Sequence, residues 1–482
     1  MVRRPAENVF FEAVVKSGSG RSIFAEGEPV KPDILDELVP PQGRAHRAAI
    51  IFQSLGFRIH DVGTFSISGE APRGLWEKTF GTQLEIRKQG VSEAHPELGE
   101  VEFLSHVADT PFAVPEELSD LIERAYPQRP PILFESPLPP TVKYHHLRVP
   151  DGVAIVLRSD KVHRAGVTGR GVLVAMPDTG FYKHPFYAWH GYNFNATLSP
   201  DATRVERDEY GHGTAEAANI FASAPNMDFV GIKMGQNPVL GFKTASDLEP
   251  AVITCSWGYS INTETLPNFL KPLEVVVIEA VRKRGIIVCF SAGNGHYGFP
   301  AQIPEVIAVG GVYAHSSLAD GDFQLEASDY ASSFDSKIYP GRHVPDVCGL
   351  VGMKPRGIYI MLPVEPGDVI DKNLAGGNYP NKDETAKDDG WSVISGTSAA
   401  SPQIAGVCAL TKEAQPGLSP SLVKAIIRAS ARDIKTGQSA MGQPAGEGHD
   451  GATGAGLVDA WAAYRLARSV TPRNLMAIPS PR

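Results

Sequence analysis

Beyond about position 150 the apolar residues gather in short unbroken runs: GVLVAM (171–176), DFVGIKM (228–234), VITCSW (252–257), IIVCFSA (286–292) and VIAVGGV (306–312). Each is bounded by turn residues, most are rich in β-branched side chains, and helical stretches lie between them. A strand apolar along its whole length has both faces covered, which predicts an α/β domain built on a parallel sheet with helices on each side. Further on, SAASPQIAGVCALTKEA and SPSLVKAIIRASA read as two helices. The first 128 residues are patterned differently. NVFFEAVV is a strand candidate, GRAHRAAIIFQSLGF has helical spacing through Ala49, Phe52 and Leu55, and TFSISG alternates Phe65 with Ile67. APRGLWEKTFG reads as a short helix, and TQLEIRK and VEFLSH as two more strands. The order is close to βαββαβ, a small α+β ferredoxin-like domain.

Between the two patterns, residues 127–150 hold seven prolines. Such a segment forms neither helix nor central strand and is expected to be extended and accessible. The predicted organisation is a domain over 1–128, a linker over 129–150, a larger domain over 151–466 and a tail over 467–482. His145 and His146 fall in the linker and read as solvated. The 482 residues leave room for two or three domains, and the high counts of glycine (48) and proline (39) predict many shaped loops. A formal charge of −9 leaves no basic footprint for nucleic acid, and no run approaches the roughly 18 apolar residues of a membrane span. Cys255, Cys289, Cys348 and Cys408 lie in or beside apolar runs without metal-ligand spacing, so they read as small buried hydrophobes that need no disulfide. With no apolar leader-like run before Glu12, the expectation is a soluble cytoplasmic protein.

Three motifs carry candidate chemistry. Asp178 ends a buried run in VAMPDTG, at the carboxyl end of a strand, where open α/β sheets bind ligands. His212 lies in DEYGHGTAEAANIF at a helix start. Ser398 lies in ISGTSAASPQIAGV, with Pro402 accommodated in the first helical turn. Alone, each has an ordinary reading: a turn aspartate, a loop, a helix cap. Together they meet a chemical need. A serine hydroxyl is a poor nucleophile until a base takes its proton, neutral imidazole is such a base, and imidazole needs an orienting carboxylate. Asn294, in CFSAGNGHYG, offers a side-chain N–H.

DTG, GHGT and GTSAASP resemble the signatures of the subtilisin family, in which the triad runs Asp, His, Ser. The spacings are 34 and 186 residues. The second is long, and the stretch from Met353 to Trp391 reads as an insertion. The resemblance implies a serine endopeptidase with Ser398 as nucleophile, His212 as base and Asp178 orienting it. Asn294 and the Ser398 N–H would hold the oxyanion. It implies that Ser256, Trp257 and Gly258 pair with the substrate backbone. It further implies that Ala292, Gly293 and Gly298 line the S1 pocket, the last leaving it deep for large apolar side chains. Because protonated His212 cannot act as base, a neutral to alkaline optimum is expected. Glu216, one turn after His212, reads as exposed or as lying behind the histidine. The segment MGQNPVLGFKTASDLEPA is short for this fold.

The first 128 residues also resemble the pro-domain of sedolisins: a helix ending in LGF, a strand, LWEKTFGTQL, and a close in FAVPEELSDLIERAY. This implies a zymogen inhibited by its own pro-domain, with a peptide or protein as substrate. RDIKTG (432–437) with PAGEGHDGATGAG (444–456) resembles the sedolisin calcium loop. Carried over, it implies a structural calcium held by the side chains of Asp433 and Asp450 and the carbonyls of Ile434, Gly446 and Gly448. The alternative is that GATGAGLVDA is the ordinary closing turn of subtilisins. From another functional class, the competing reading is a catalytically silent or regulatory peptide-binding module.

Overall fold

The computed structural model describes residues 8–24, 32–90, 100–130, 139–316 and 324–470. The chain divides into two compact units, Met1–Pro137 and Leu138–Arg482.

The first unit contains β1 (Asn8–Val15), β2 (Arg58–Val62), β3 (Ser66–Pro72), β4 (Leu84–Gly90), β5 (Glu100–His106) and β6 (Ile122–Pro127). An antiparallel sheet has the order β2-β3-β1-β6, with helices Arg44–Ser54 and Arg73–Phe80 among its connections. Phe11, Phe52, Phe57, Trp76 and Phe80 form its buried aromatic centre, Trp76 and Phe80 having ring centroids 4.4 Å apart. The expected closing strand VEFLSH is not in this sheet. It forms β5, which makes a separate hairpin with β4, and the edge beside β1 is taken by β6. Alternating apolar residues mark which face of a strand is buried but not which strand lies beside it.

In the second unit the five apolar runs fold as expected. β8 (Leu173–Asp178), β9 (Phe194–Leu198), β10 (Asp228–Lys233), β11 (Val252–Cys255), β13 (Ile287–Ser291) and β15 (Ile307–Ala314) are parallel; β16 (Leu325–Ala327) closes one edge antiparallel. The order is β16-β15-β13-β11-β8-β10-β9, and β19 (Val347–Leu350) also pairs with β15. Two short pairs, β12 (Tyr259–Ser260) with β14 (Gly298–Phe299) and β17 (Phe334–Asp335) with β18 (His343–Val344), lie outside it. The helices His212–Ser223 and Thr397–Ala414 pack together against one apolar cluster. The helices Pro238–Asp247 and Lys271–Arg282 contribute to the other, so the short MGQNPVLGFKTASDLEPA segment still holds a helix. At Gly406 a Cβ would come 2.5 Å from Ser223 Cβ, which is why small residues dominate the contact between the first two helices.

Three boundaries differ from the sequence expectation. Leu147–Arg148 is β7, pairing with β20 (Ile360–Pro363), and Val142, Leu147 and Val149 are buried, so the predicted linker reaches too far into the second unit. His145 and His146 are half-buried, bonded to the carbonyls of Ala314 and Tyr144 at 3.0 and 2.9 Å, rather than solvated. The expected insertion is partly core: Tyr359–Val364 is buried, and β20 pairs with β21 (Trp391–Ile394). The predicted tail begins too early, because a further helix, Ala460–Ser469, buries Ala467; the rest of the tail, 471–482, and linker residues 131–138 lie outside the described residues.

One buried charge cluster ties the far side of the sheet together. Asp346 takes both outer nitrogens of Arg342 at 2.7 Å, Lys424 Nζ at 3.0 Å and the Ala308 N–H at 2.8 Å. Burial alone would raise its carboxyl, but Lys424 and Arg342 outweigh that and hold it at about 2; the cost falls on Lys424, which burial presses down to about 8. Asp346→Ala would strand two buried cations and is expected to cost roughly 3–5 kcal/mol in urea unfolding. Because the folded carboxyl lies below the unfolded one, its contribution is present above the ordinary value of 3.8 and is lost as pH falls toward about 2. Wild type should therefore lose stability over that window, and Asp346→Ala much less.

Candidate active site

β8 and β10 are central strands, and their carboxyl ends open onto the His212 helix. Asp178 is the last residue of β8 and is 1% exposed. Its Oδ1 accepts the Thr179 N–H at 2.7 Å and bonds His212 Nδ1 at 2.8 Å. Its Oδ2 is buried without a hydrogen-bond partner, so His212 provides the main local compensation for its charge. Burial works against a charged ring at His212, but Asp178, then Glu216 and Asp208, prevail and raise it to about 9.

His212 is the first residue of its helix, and the local sequence explains why the helix starts there. Gly211, at φ 91°, is the cap position and has no side chain to offer. Asp208 supplies the missing acceptor: its Oδ2 takes the Thr214 N–H and hydroxyl at 2.8 and 2.7 Å, and its Oδ1 takes the Gly211 N–H and the Thr179 hydroxyl. An anion at a helix N-terminus is favourable, and this one also links the Asp178 loop to the His212 helix. The sequence reading passed over Asp208; an aspartate four residues before a glycine-started helix was the available signal. The segment from the expected insertion braces the same loop, Val369 and Ile370 donating to the carbonyls of Glu209 and Tyr210.

Ser398 lies in the first turn of its helix, where N–H groups lack intrahelical partners. Its Oγ donates to the Ser256 carbonyl at 3.2 Å, and the Ser256 hydroxyl donates to the Ser398 carbonyl at 2.7 Å. A hydrogen bond from Ser398 to His212 is not formed among the described residues; such contacts commonly tighten only with substrate bound. Asn294 is oriented by Thr397, whose N–H reaches its Oδ1 at 2.9 Å. An N–H can be met only by the amide oxygen, so the Nδ2 end is left for the cleft. A Cβ at Gly396 would lie 2.8 Å from that nitrogen, which accounts for the glycine.

Asn294 and Ser398 face one cleft of about 220 Å³, with Thr397, Ser256, Trp257, Gly258, Gly293 and Gly298 also on its walls. Trp257 is pinned to β8 through Nε1–H to the Pro177 carbonyl at 2.8 Å. The structure adds Tyr259, Ser260, Ser291 and His296, which the sequence reading did not name. Ala292 is fully buried and does not line the cleft. Gly298 is explained by backbone packing, since a Cβ there would strike the Ala292 carbonyl, and the hydroxyls and imidazole on the walls make the cleft less apolar than expected. Of the two readings for Glu216, exposed or lying behind the histidine, the structure takes the second: it is buried, with Oε1 3.8 Å from His212 Nε2.

The two aspartates expected to hold calcium near the C-terminus face amide hydrogens. Asp450 Oδ1 accepts from the Ala452 and Thr453 N–H groups at 2.8 and 2.7 Å, and Oδ2 from the Gly446 N–H at 3.1 Å. Asp433 Oδ1 accepts from the Gly448 N–H at 3.0 Å, and Oδ2 faces Lys435 Nζ at 3.9 Å. A calcium ion needs roughly six to eight oxygens facing it, and with Asp433 and Asp450 engaged by backbone N–H groups and Lys435, their carboxylates are not presented to an ion alongside the carbonyls of Ile434, Gly446 and Gly448. Adding calcium or EDTA is expected to leave the melting temperature unchanged. A calcium-dependent rise abolished by Asp450→Ala would show that the loop opens to take the ion.

A doubly covered parallel sheet with an Asp–His pair at its carboxyl edge and a helix-borne serine facing an amide across a cleft defines the class. The model of the subtilase family matches residues 169–456, and the chain belongs to that family. It is similar to serine protease AprX of Bacillus subtilis (strain 168), 25% identical over 302 residues covering 54% of this chain and 61% of AprX. It is likewise similar to subtilisin Savinase of Lederbergia lenta, 25% identical over 330 residues covering 66% of this chain and 99% of Savinase. The chain thus matches about three fifths of AprX but nearly all of Savinase. Among solved structures, Pseudomonas sedolisin, a serine-carboxyl proteinase complexed with two molecules of pseudo-iodotyrostatin, superposes with a TM-score of 0.51 at 17% identity, covering 68% of this chain and 99% of that one. That likeness concerns the fold alone.

Proposed function

We propose that the chain is a serine endopeptidase using Asp178, His212, Ser398 and Asn294. The observation that carries this reading is the buried 2.8 Å contact between Asp178 and His212 Nδ1. Nδ1 bound to a carboxylate must carry the proton, which leaves Nε2 as the lone-pair nitrogen of the neutral ring. Ser398 Oγ turns from the Ser256 carbonyl toward Nε2, gives up its proton and attacks the peptide carbonyl. Asn294 Nδ2–H and the Ser398 N–H take the oxyanion. His212 passes the proton to the leaving amine, and in the second half takes one from the water that hydrolyses the acyl-enzyme. The cleft walls give room for a mixed polar and aromatic side chain rather than a purely aliphatic one. A silent peptide-binding module would have no use for a buried carboxylate compensated mainly by a histidine.

The sheet order β2-β3-β1-β6 supports reading the first unit as a ferredoxin-like pro-domain. In this reading the protein is made as a zymogen, held inhibited until the proline-rich segment is cut. Ser398→Ala and His212→Ala should each lower kcat by roughly 10⁴-fold or more, with the double variant scarcely worse than either. Additive losses would refute a shared catalytic unit. In the same preparations wild type should lose the N-terminal unit and Ser398→Ala should keep it. A wild type that is active and uncut would make that unit a permanent accessory domain.

A further inference from the structure

Beside His212 the mechanism leaves a buried titratable group unused. Glu216 is 1% exposed and stands one helical turn after His212, so both side chains project from one face. Its Oε1 is 3.8 Å from His212 Nε2, the nitrogen opposite the one Asp178 holds. Its Oε2 accepts from Asn219 Nδ2 at 3.0 Å, Asn219 Oδ1 accepts from Gln403 Nε2 at 3.1 Å, and Gln403 Oε1 accepts the Leu350 N–H at 2.7 Å. Asn219 and Gln403 are both fully buried, and Gln403 belongs to the Ser398 helix. Burying a carboxyl group is costly unless it is hydrogen-bonded, and packing alone would be met more cheaply by an apolar side chain. We infer that Glu216 is a positioning residue that acts on His212 from its Nε2 side and controls when that nitrogen is free to accept the serine proton. The geometric inference stands by itself; only its kinetic consequence rests on the peptidase reading.

The pair has two arrangements of one proton. With the proton on Glu216, His212 is neutral and Nε2 keeps its lone pair. With the proton on His212, an ion pair forms between Nε2–H and Glu216, and the ring cannot serve Ser398. Burial pushes Glu216 up to about 8, and against burial Asp178 first, then Glu216, raise His212 to about 9, so both groups titrate in the range where a base must work. The surrounding charges are few. Asp178 faces the ring from β8, and Asp208 lies in the loop before the helix. Tyr187 donates to the Thr214 carbonyl and is kept neutral by burial. Lys233 of β10 is turned to Glu209 at 2.7 Å and to the carbonyls of Arg204 and Arg207. The Ser398 helix contributes uncharged Ser398 and Gln403, and β20 is apolar. On the Asp151–Leu157 helix Asp151 is exposed, and His163 on the following helix bonds the Ser223 carbonyl at the far end.

The test is an NMR titration of the His212 ring in full-length, histidine-labelled Ser398→Ala protein, which needs no turnover and cannot digest itself. The His212 signal is identified by its loss in His212→Ala. Adding Glu216→Gln removes an anion from beside the imidazolium, and the midpoint should fall by about one pH unit. Asn219→Ala, which strips a hydrogen bond from the charged carboxylate, should lower it by less and serves if Glu216→Gln does not fold. In the Ser398 enzyme the acid limb of kcat/KM should move down with the midpoint in Glu216→Gln. A folded Glu216→Gln with an unchanged midpoint overturns the inference. A shifted midpoint in a protein that cleaves no peptide upholds it while removing the peptidase reading.

Discussion

A carboxylate buried at the end of a central strand is the constraint around which the second unit is arranged. Asp178 is almost wholly removed from water, and one of its oxygens has no hydrogen-bond partner. Its charge is tolerable only if a cation or a strong donor stands beside it. His212 meets that need, and the rest of the local structure keeps His212 in place. Asp208 stabilises the start of the helix, Gly213 allows the helix to approach the Gly180 carbonyl, and the 369–370 segment holds the preceding loop. The same contact that compensates the aspartate fixes the imidazole tautomer, so a demand of folding and a demand of the proposed catalysis are satisfied together.

The Ser398 helix is held to the His212 helix by close packing and by polar contacts. Gly406 allows the backbones to approach, and the path from Glu216 through Asn219 to Gln403 crosses from the His212 helix to the Ser398 helix inside the core. Such a path costs more to build than an apolar contact and gains specificity of position. It places Ser398 and His212, the nucleophile and base of the proposed mechanism, on two helices rather than on loops. The stretch that appears as an insertion in the spacing between His212 and Ser398 serves the same end. β20 packs against the His212 helix, and pairing with β7 brings the start of the unit under it.

What the sequence disclosed follows the range of the interactions involved. Asp178, His212, Ser398 and Asn294 were legible because each lies in a short motif whose small neighbours are needed at close range. The parallel sheet was legible because a doubly covered strand is apolar throughout. Features that depend on distant partners were not. Nothing near VEFLSH tells that its partner is β4 alone, and HGTAE leaves open whether Glu216 faces out or lies behind His212, because its hydrogen-bond path runs through a residue nearly two hundred positions away. Gly298 was assigned to pocket depth when a neighbouring carbonyl requires it. The aspartates of the C-terminal loop had the composition of a calcium site, but their orientation toward backbone N–H groups is a property of the folded loop.

The decisive measurement is covalent labelling of the full-length protein with a fluorophosphonate, followed by mapping of the adduct by peptide mass spectrometry. The reagent reacts only with a serine whose proton is taken by a base and whose oxyanion is held. The reading advanced for this site predicts a single adduct on Ser398 at about pH 9, rising with pH as His212 loses its proton and absent from His212→Ala. Labelling elsewhere, no labelling at any pH once the N-terminal unit is removed, or equal labelling in His212→Ala would contradict it.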